Sequence, residues 1–126
     1  MATVDPESAL RGDWEILSSE LWDKDALDLI ETAHVRFDGR NGELMMIAIH
    51  GWLDCRYGER DGRPAVEFSW EGHDDSDERS GRGWAVVKPD GKVYGRLFLH
   101  MGDDSAFAAV RKPTKRRGSG RPRQRR

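Results

Sequence analysis

One cysteine, Cys55, stands in a chain of 126 residues. It can neither close an internal disulfide nor contribute to a site built from several thiolates, which agrees with a reducing compartment. Cys55 itself reads as a small buried hydrophobe in a strand rather than a reactive thiol. Long apolar runs are also missing, and none approaches the roughly 20 residues that a membrane-spanning helix needs. The opening stretch MATVDPESALRGDWEIL has neither the basic start nor the apolar stretch of a secretory signal, so a cytoplasmic protein is expected. Recognised reaction motifs are lacking too. There is no GxSxG elbow and no HxxxH pair on a helix, and the acidic run from Asp74 to Glu78 does not follow the DxDxDG order of a calcium loop. No cofactor is expected.

Acidic residues are absent from positions 111–126, where nine residues are Lys or Arg. The net charge of −2 conceals this split, because the rest of the chain carries 12 basic against 23 acidic residues, a net of −11. Arg111, Lys112, Lys115, Arg116, Arg117, Arg121, Arg123, Arg125 and Arg126 are candidate polyanion contacts. Such a run displaces counterions from nucleic acid and binds it in a salt-sensitive, sequence-independent way. No aromatic accompanies these cations, which argues against base-specific recognition. Attraction to the acidic body or to an anionic membrane surface are the competing uses. Prolines, glycines and self-repelling charge predict that this basic tail is disordered.

What is present is a series of alternating apolar and polar positions punctuated by glycine turns. Trp14 and Ile16 share one face of a first strand from Gly12, and Val35 and Phe37 share a face of the next. Between them, Leu21, Trp22, Leu27 and Ile30 fall near helical spacing with Asp23 or Asp25 able to cap, so residues 21–30 predict a short helix or compact loop. Glu43 to Tyr57 reads as one long strand bent near Gly51, partly apolar on both faces. Val66, Phe68 and Trp70 then alternate with Glu67, Ser69 and Glu71, GHDDSDERSG reads as a polar loop, and three further strands follow to Lys112. Residues 1–11 are expected to be a flexible N-terminus, 12–110 an antiparallel β domain and 111–126 the tail. About seven strands of this kind must close on themselves to hide their apolar faces. The fold class expected is all-β, a small antiparallel meander barrel or half-open barrel, with a twisted sheet capped by residues 21–30 as the alternative.

With these elements placed, the chain resembles a family of small uncharacterised bacterial proteins. The likeness rests on GxWxI (Gly12, Trp14, Ile16), WDxD (Trp22, Asp23, Asp25), VEFSWEG from Val66, GRGWA from Gly81 and GDDSxF from Gly102, and covers roughly residues 12–110. It implies the fold boundaries and no activity. More loosely, an early GxW strand before a meander is similar to lipocalin-like barrels, which implies a small apolar ligand inside.

Three constellations could carry chemistry. His73, Asp74, Asp75, Asp77 and Glu78 in one loop, with His100, Asp103 and Asp104 at another, could supply nitrogen and oxygen ligands to a divalent ion if the loops meet. Alternatively they form solvated acidic turns. Glu71, His73 or His100 with Asp103, Asp104 and Ser105 could perform acid–base chemistry, the carboxylates tuning the imidazole, or the Asp and Ser side chains could merely cap turns. Pairing of Arg82 with one of the loop carboxylates would be structural rather than catalytic. Trp14, Trp22, Trp52, Trp70 and Trp84 are either core or the lining of a ligand cavity.

The chain therefore reads as a β-barrel binding or interaction module rather than an enzyme. Candidate binding residues are Glu71, His73, Asp74, Arg82, His100, Asp103 and Asp104, with the basic tail available to nucleic acid or another polyanion and the barrel to a small apolar ligand or a protein. The alternative is a metal-dependent or acid–base enzyme using His73, His100 and the nearby carboxylates.

Overall fold

A computed structural model describes residues 5–112. Period-two alternation produces eight strands: β1 (Gly12–Ser19), β2 (His34–Asp38), β3 (Asn41–Met46), β4 (Ile49–Arg60), β5 (Arg63–Asp74), β6 (Asp77–Val87), β7 (Val93–Leu99) and β8 (Asp104–Arg111). Each pairs antiparallel with the next, and β8 returns to β1, so the sheet is a closed up-and-down barrel without edges. A bulge between Ile16 and Ser18 helps β1 make that closing contact. Closure hides the inward set in one core containing Trp14, Ile16, Val35, Phe37, Leu53, Phe68, Trp70 and Leu97.

Glycines let large rings fill this narrow interior. A Cβ on Gly51 would sit 2.7 Å from the Trp70 ring, one on Gly83 2.5 Å from Phe68, and one on Gly95 2.8 Å from Phe107. Trp70 also donates its indole N–H to the carbonyl of Phe98 at 3.3 Å. Of the five tryptophans, Trp14 and Trp70 are core at 1 % and 3 % exposure.

The short helix expected within residues 21–30 is α2 (Lys24–Leu27), whose N-cap Asp23 accepts from the Ala26 amide at 2.9 Å. Only Leu27 of its apolar set is fully buried; Leu21 and Ile30 stay exposed. Three other expectations need correction. The lead-in is not wholly frayed, because α1 (Pro6–Leu10) forms with Asp5 as N-cap and buries Leu10. The long strand from Glu43 is two strands joined by a tight turn at Ile47 and Ala48, with Ile47 at φ 57 and its amide donating to the Leu27 carbonyl at 2.8 Å. The polar loop after Gly72 is instead a hairpin: His73 pairs with Glu78 and Asp74 with Asp77, turning at Asp75 with φ 59. Its side chains are polar on both faces because much of this hairpin faces solvent.

Candidate functional site: an open trough along the outside of the barrel

Outward side chains of β4 to β7 are aligned in rows by the strand register. Trp52 lies opposite Glu71, and Glu71 opposite Ser80. The His100 amide donates to the Ser80 carbonyl at 2.7 Å, adding that residue to the end of the row. One row below, Asp54, Ser69, Arg82 and Phe98 pair in succession. Small Ser69 and Ser80 between Trp52 on one side and Phe98 and His100 on the other leave a groove of about 690 Å³. A second space of about 870 Å³ shares Trp52, Glu71, Ser80 and His100 and continues past His73 to the β5–β6 hairpin. A third, about 410 Å³, shares Asp54, Ser69, Arg82 and Phe98 and ends at Trp84. Together they form one trough that follows β5 along the outer wall.

Its aromatic wall is built from cross-strand contacts. Trp52 is 50 % exposed, and its ring stacks on His50 of the same strand with centroids 4.4 Å apart. His50 in turn meets His73 edge-on at 5.9 Å. The His50 Nε2–H donates to Glu43 at 2.5 Å, and Arg36 pairs with the other carboxylate oxygen at 3.1 Å. These contacts fix the imidazole, and the imidazole fixes one face of the indole. Trp84, the other outward indole, carries the Arg60 guanidinium 3.8 Å from its ring centroid.

The hydrogen bond from His50 holds the Glu43 carboxyl below the usual carboxylate range; burial opposes this and Arg36 reinforces it. Because the folded value is depressed, the associated stability is fully present above the ordinary carboxylate range of about 4.3 and is lost as pH falls through the folded value. Urea midpoints taken from pH 7 to pH 3 are expected to fall in the acid limb, and Glu43→Gln should flatten that fall. An acid limb of the same shape in the variant would remove Glu43 from this role.

Of the residues singled out in the sequence, Glu71, His73, Arg82 and His100 line the trough. Asp75 and Glu78 border it as well, whereas Asp74, Asp77, Asp103, Asp104 and Ser105 lie off it. Asp74 faces Arg79 across the hairpin at 3.9 Å, and Asp104 is ion-paired with Arg96, which also holds Glu20. Asp103 contributes its backbone carbonyl to the Leu99 amide at 2.9 Å. Ser105 is buried, shares a hydrogen bond with Ser19 at 2.9 Å and accepts from the Leu21 amide, a tie between β8 and the segment leading to α2. Arg82 has no carboxylate partner among the described residues and lies over Phe98 at 5.4 Å. Among the described residues, no three His, Cys, Asp or Glu side chains converge as metal ligands. Burial pushes the Cys55 thiol up to about 11, as a strand-core cysteine should behave.

Arg111, one of the candidate polyanion contacts, is engaged within the chain. Its two terminal nitrogens donate to the carbonyls of Arg11 and Ala9 at 2.6 and 2.8 Å, and its guanidinium covers Trp14 at 4.3 Å. It clamps α1 to the barrel. The Lys112 amide continues this closure by donating to Asp13. The remaining seven cations, Lys115 to Arg126, lie outside the described residues.

The sequence reading missed Trp52 as a wall, and with it His50, Ser69, Ser80 and Phe98. A signal was available in HGWLDCR, where His50, Trp52, Asp54 and Arg56 share one parity and the apolar Leu53 and Cys55 the other. A tryptophan on an otherwise polar face is the exception that marks a surface site. No family model, curated protein or solved structure matches this chain.

Proposed function

We propose that the protein is a binding module that takes an extended ligand on the outer trough along β5 rather than inside the barrel. The observation carrying this reading is the half-exposed Trp52, held on one face by His50 and bordering an open groove with the polar floor Ser69, Glu71, Ser80 and Arg82. A large rigid ring beside a few oriented polar groups is the usual composition of a recognition surface, since the ring provides area at little entropic cost and the polar groups select orientation. The trough is open along its length, which suits a chain-like ligand better than a compact one. An acid–base or metal reading has less support: Glu71, His73 and His100 share the trough, but Asp103 and Asp104, which were to complete the constellation, do not line it.

Indole N–H resonances of the isotopically labelled full chain report the two alternatives separately. Titration with a panel of peptides and oligosaccharides is expected to include a ligand that moves Trp52, and Trp84 at the far end, while Trp14 and Trp70 stay fixed. Movement of Trp14 and Trp70 with palmitate or haem, Trp52 remaining still, would falsify the outer-trough reading.

A further inference from the structure

We infer that Trp52 and Glu71 form a cation-recognition subsite that takes the guanidinium or ammonium of an extended basic peptide from a partner protein. This rests on the outer-trough reading and names the class of ligand.

Register places the two side chains directly opposite one another on the outer face of β4 and β5. Opposed residues of an antiparallel pair have Cβ atoms about 5 Å apart, so an indole face and a carboxylate border the same small space. A cation entering it gains ring attraction and charge-assisted hydrogen bonds together, with Ser69 and Ser80 alongside as further acceptors. The barrel already uses half of this device internally. Arg60 covers Trp84 at 3.8 Å and Arg111 covers Trp14 at 4.3 Å. Trp52 has a histidine on one face and no Lys or Arg over its ring among the described residues.

Charge in the trough favours the same ligand. Glu67, Glu71 and Glu78 line it with no ion-pair partner among the described residues. Arg79 pairs with Asp74 and Arg56 with Asp54, while Arg82 over the Phe98 ring keeps its charge, so five lining acids, Asp54, Glu67, Glu71, Asp75 and Glu78, stand against three arginines. Unpaired negative charge remains, which repels phosphate backbones and attracts basic chains, and the net of −11 over residues 1–110 extends that attraction to long range. The span of β5 from Glu67 to His73 is about 20 Å, enough for roughly six extended residues. A closed sheet has no free edge, so such a peptide is held through side chains rather than by adding a strand.

The test is isothermal titration of the full chain with hexa-arginine, using hexa-citrulline as the neutral isostere. Hexa-arginine is expected to bind and hexa-citrulline to fail. Glu71→Gln and Trp52→Leu should each weaken hexa-arginine by roughly tenfold or more, since both groups contact the cation. Glu31→Gln, an exposed acid outside the trough, should leave affinity unchanged. Equal weakening by Glu31→Gln and Glu71→Gln would reduce the effect to diffuse attraction and overturn the subsite. A neutral oligosaccharide that shifts the Trp52 resonance while hexa-arginine does not would overturn the cation class but leave the outer trough standing. Full-length protein with Arg121, Arg123, Arg125 and Arg126 changed to Gln should bind hexa-arginine as the parent does. Tighter binding would make the chain's own C-terminal segment the occupant and refute a partner's peptide.

Discussion

Gly51→Ala and Trp70→Leu are each expected to destabilise the barrel by about 2–4 kcal/mol, yet together they should cost less than their sum. The reason is geometric. The three atoms nearest a methyl on Gly51 all belong to the Trp70 ring, the first at 2.7 Å, so a smaller side chain at position 70 removes the obstruction. Gly81→Ala presents the opposite case. Its Cβ would stand 2.8 Å from the Trp70 indole nitrogen but only 1.8 Å from the backbone carbonyl of Phe98, and no side-chain change moves a carbonyl that sits in the β6–β7 ladder. Gly81→Ala should therefore cost more than about 3 kcal/mol, and Trp70→Leu should fail to rescue it. Urea denaturation of the five variants provides the cycle. Rescue of Gly81→Ala by Trp70→Leu would show that the β6–β7 pairing gives way more readily than the ring, contrary to a core held by backbone and glycine together.

The sequence made the inward faces legible because period two is strict where one face meets core and the other water. Val66, Phe68 and Trp70 are buried while Glu67, Ser69 and Glu71 are exposed, as their alternation requires. The Asp61–Gly62 dipeptide between β4 and β5 is itself a turn signal, and both residues adopt the positive φ that such a turn requires, at 52 and 75. The β3–β4 turn was hidden for the converse reason. Ile47 adopts φ 57 although a left-handed residue costs roughly 1–2 kcal/mol, and what holds it there is an amide bond to Leu27, a partner distant in the chain. The polar hairpin at residues 73–78 escaped because both of its faces meet solvent and so show no periodicity. An N-terminal signal was present in Asp5, Pro6 and Glu7, a cap, a first-turn proline and a first-turn acid, but a helix of five residues is too short to show an apolar stripe.

The site depended on that same hidden turn. Glu71, His73, Arg82 and His100 stood out by residue type alone, and all four line the trough. Which face Trp52 presents could be settled only by the register of β4, and a shift of one residue would send it into the core. With Ile47 and Ala48 read as strand, both faces from Glu43 to Tyr57 were partly apolar and Trp52 merged with the core tryptophans. Asp103 and Asp104 failed for a different reason. Their sequence proximity to His100 said nothing of direction, and Arg96 takes Asp104 across the β7–β8 pair.

Removing α1 is expected to abolish cooperative folding, although the eight strands would all remain in the chain. The helix packs against β4 and β5, on the far side of the barrel from β1, to which the chain leads directly. It thus crosses one end of the barrel. Leu10 is completely buried there, and a leucine of this kind contributes about 2–5 kcal/mol relative to alanine. Polar contacts hold it in position: the Trp14 indole N–H donates to the Leu10 carbonyl at 2.9 Å, and Arg111 donates to the carbonyls of Ala9 and Arg11. Without α1, Trp14 has a buried donor without its acceptor, and Arg111, at the end of β8, loses the Ala9 carbonyl, one of the two it spans. The β1–β8 pairing that closes the barrel therefore depends on a segment outside the sheet. Leu10→Ala should lower the urea midpoint by most of the helix's contribution, and Arg111→Ala by less, about 1–3 kcal/mol, because its carbonyls can be rehydrated. Protein beginning at Arg11 should bind an apolar dye and melt without a sharp transition. A sharp transition in that protein, close to the parent's, would mean that the strands close unaided and that α1 merely rests on the barrel.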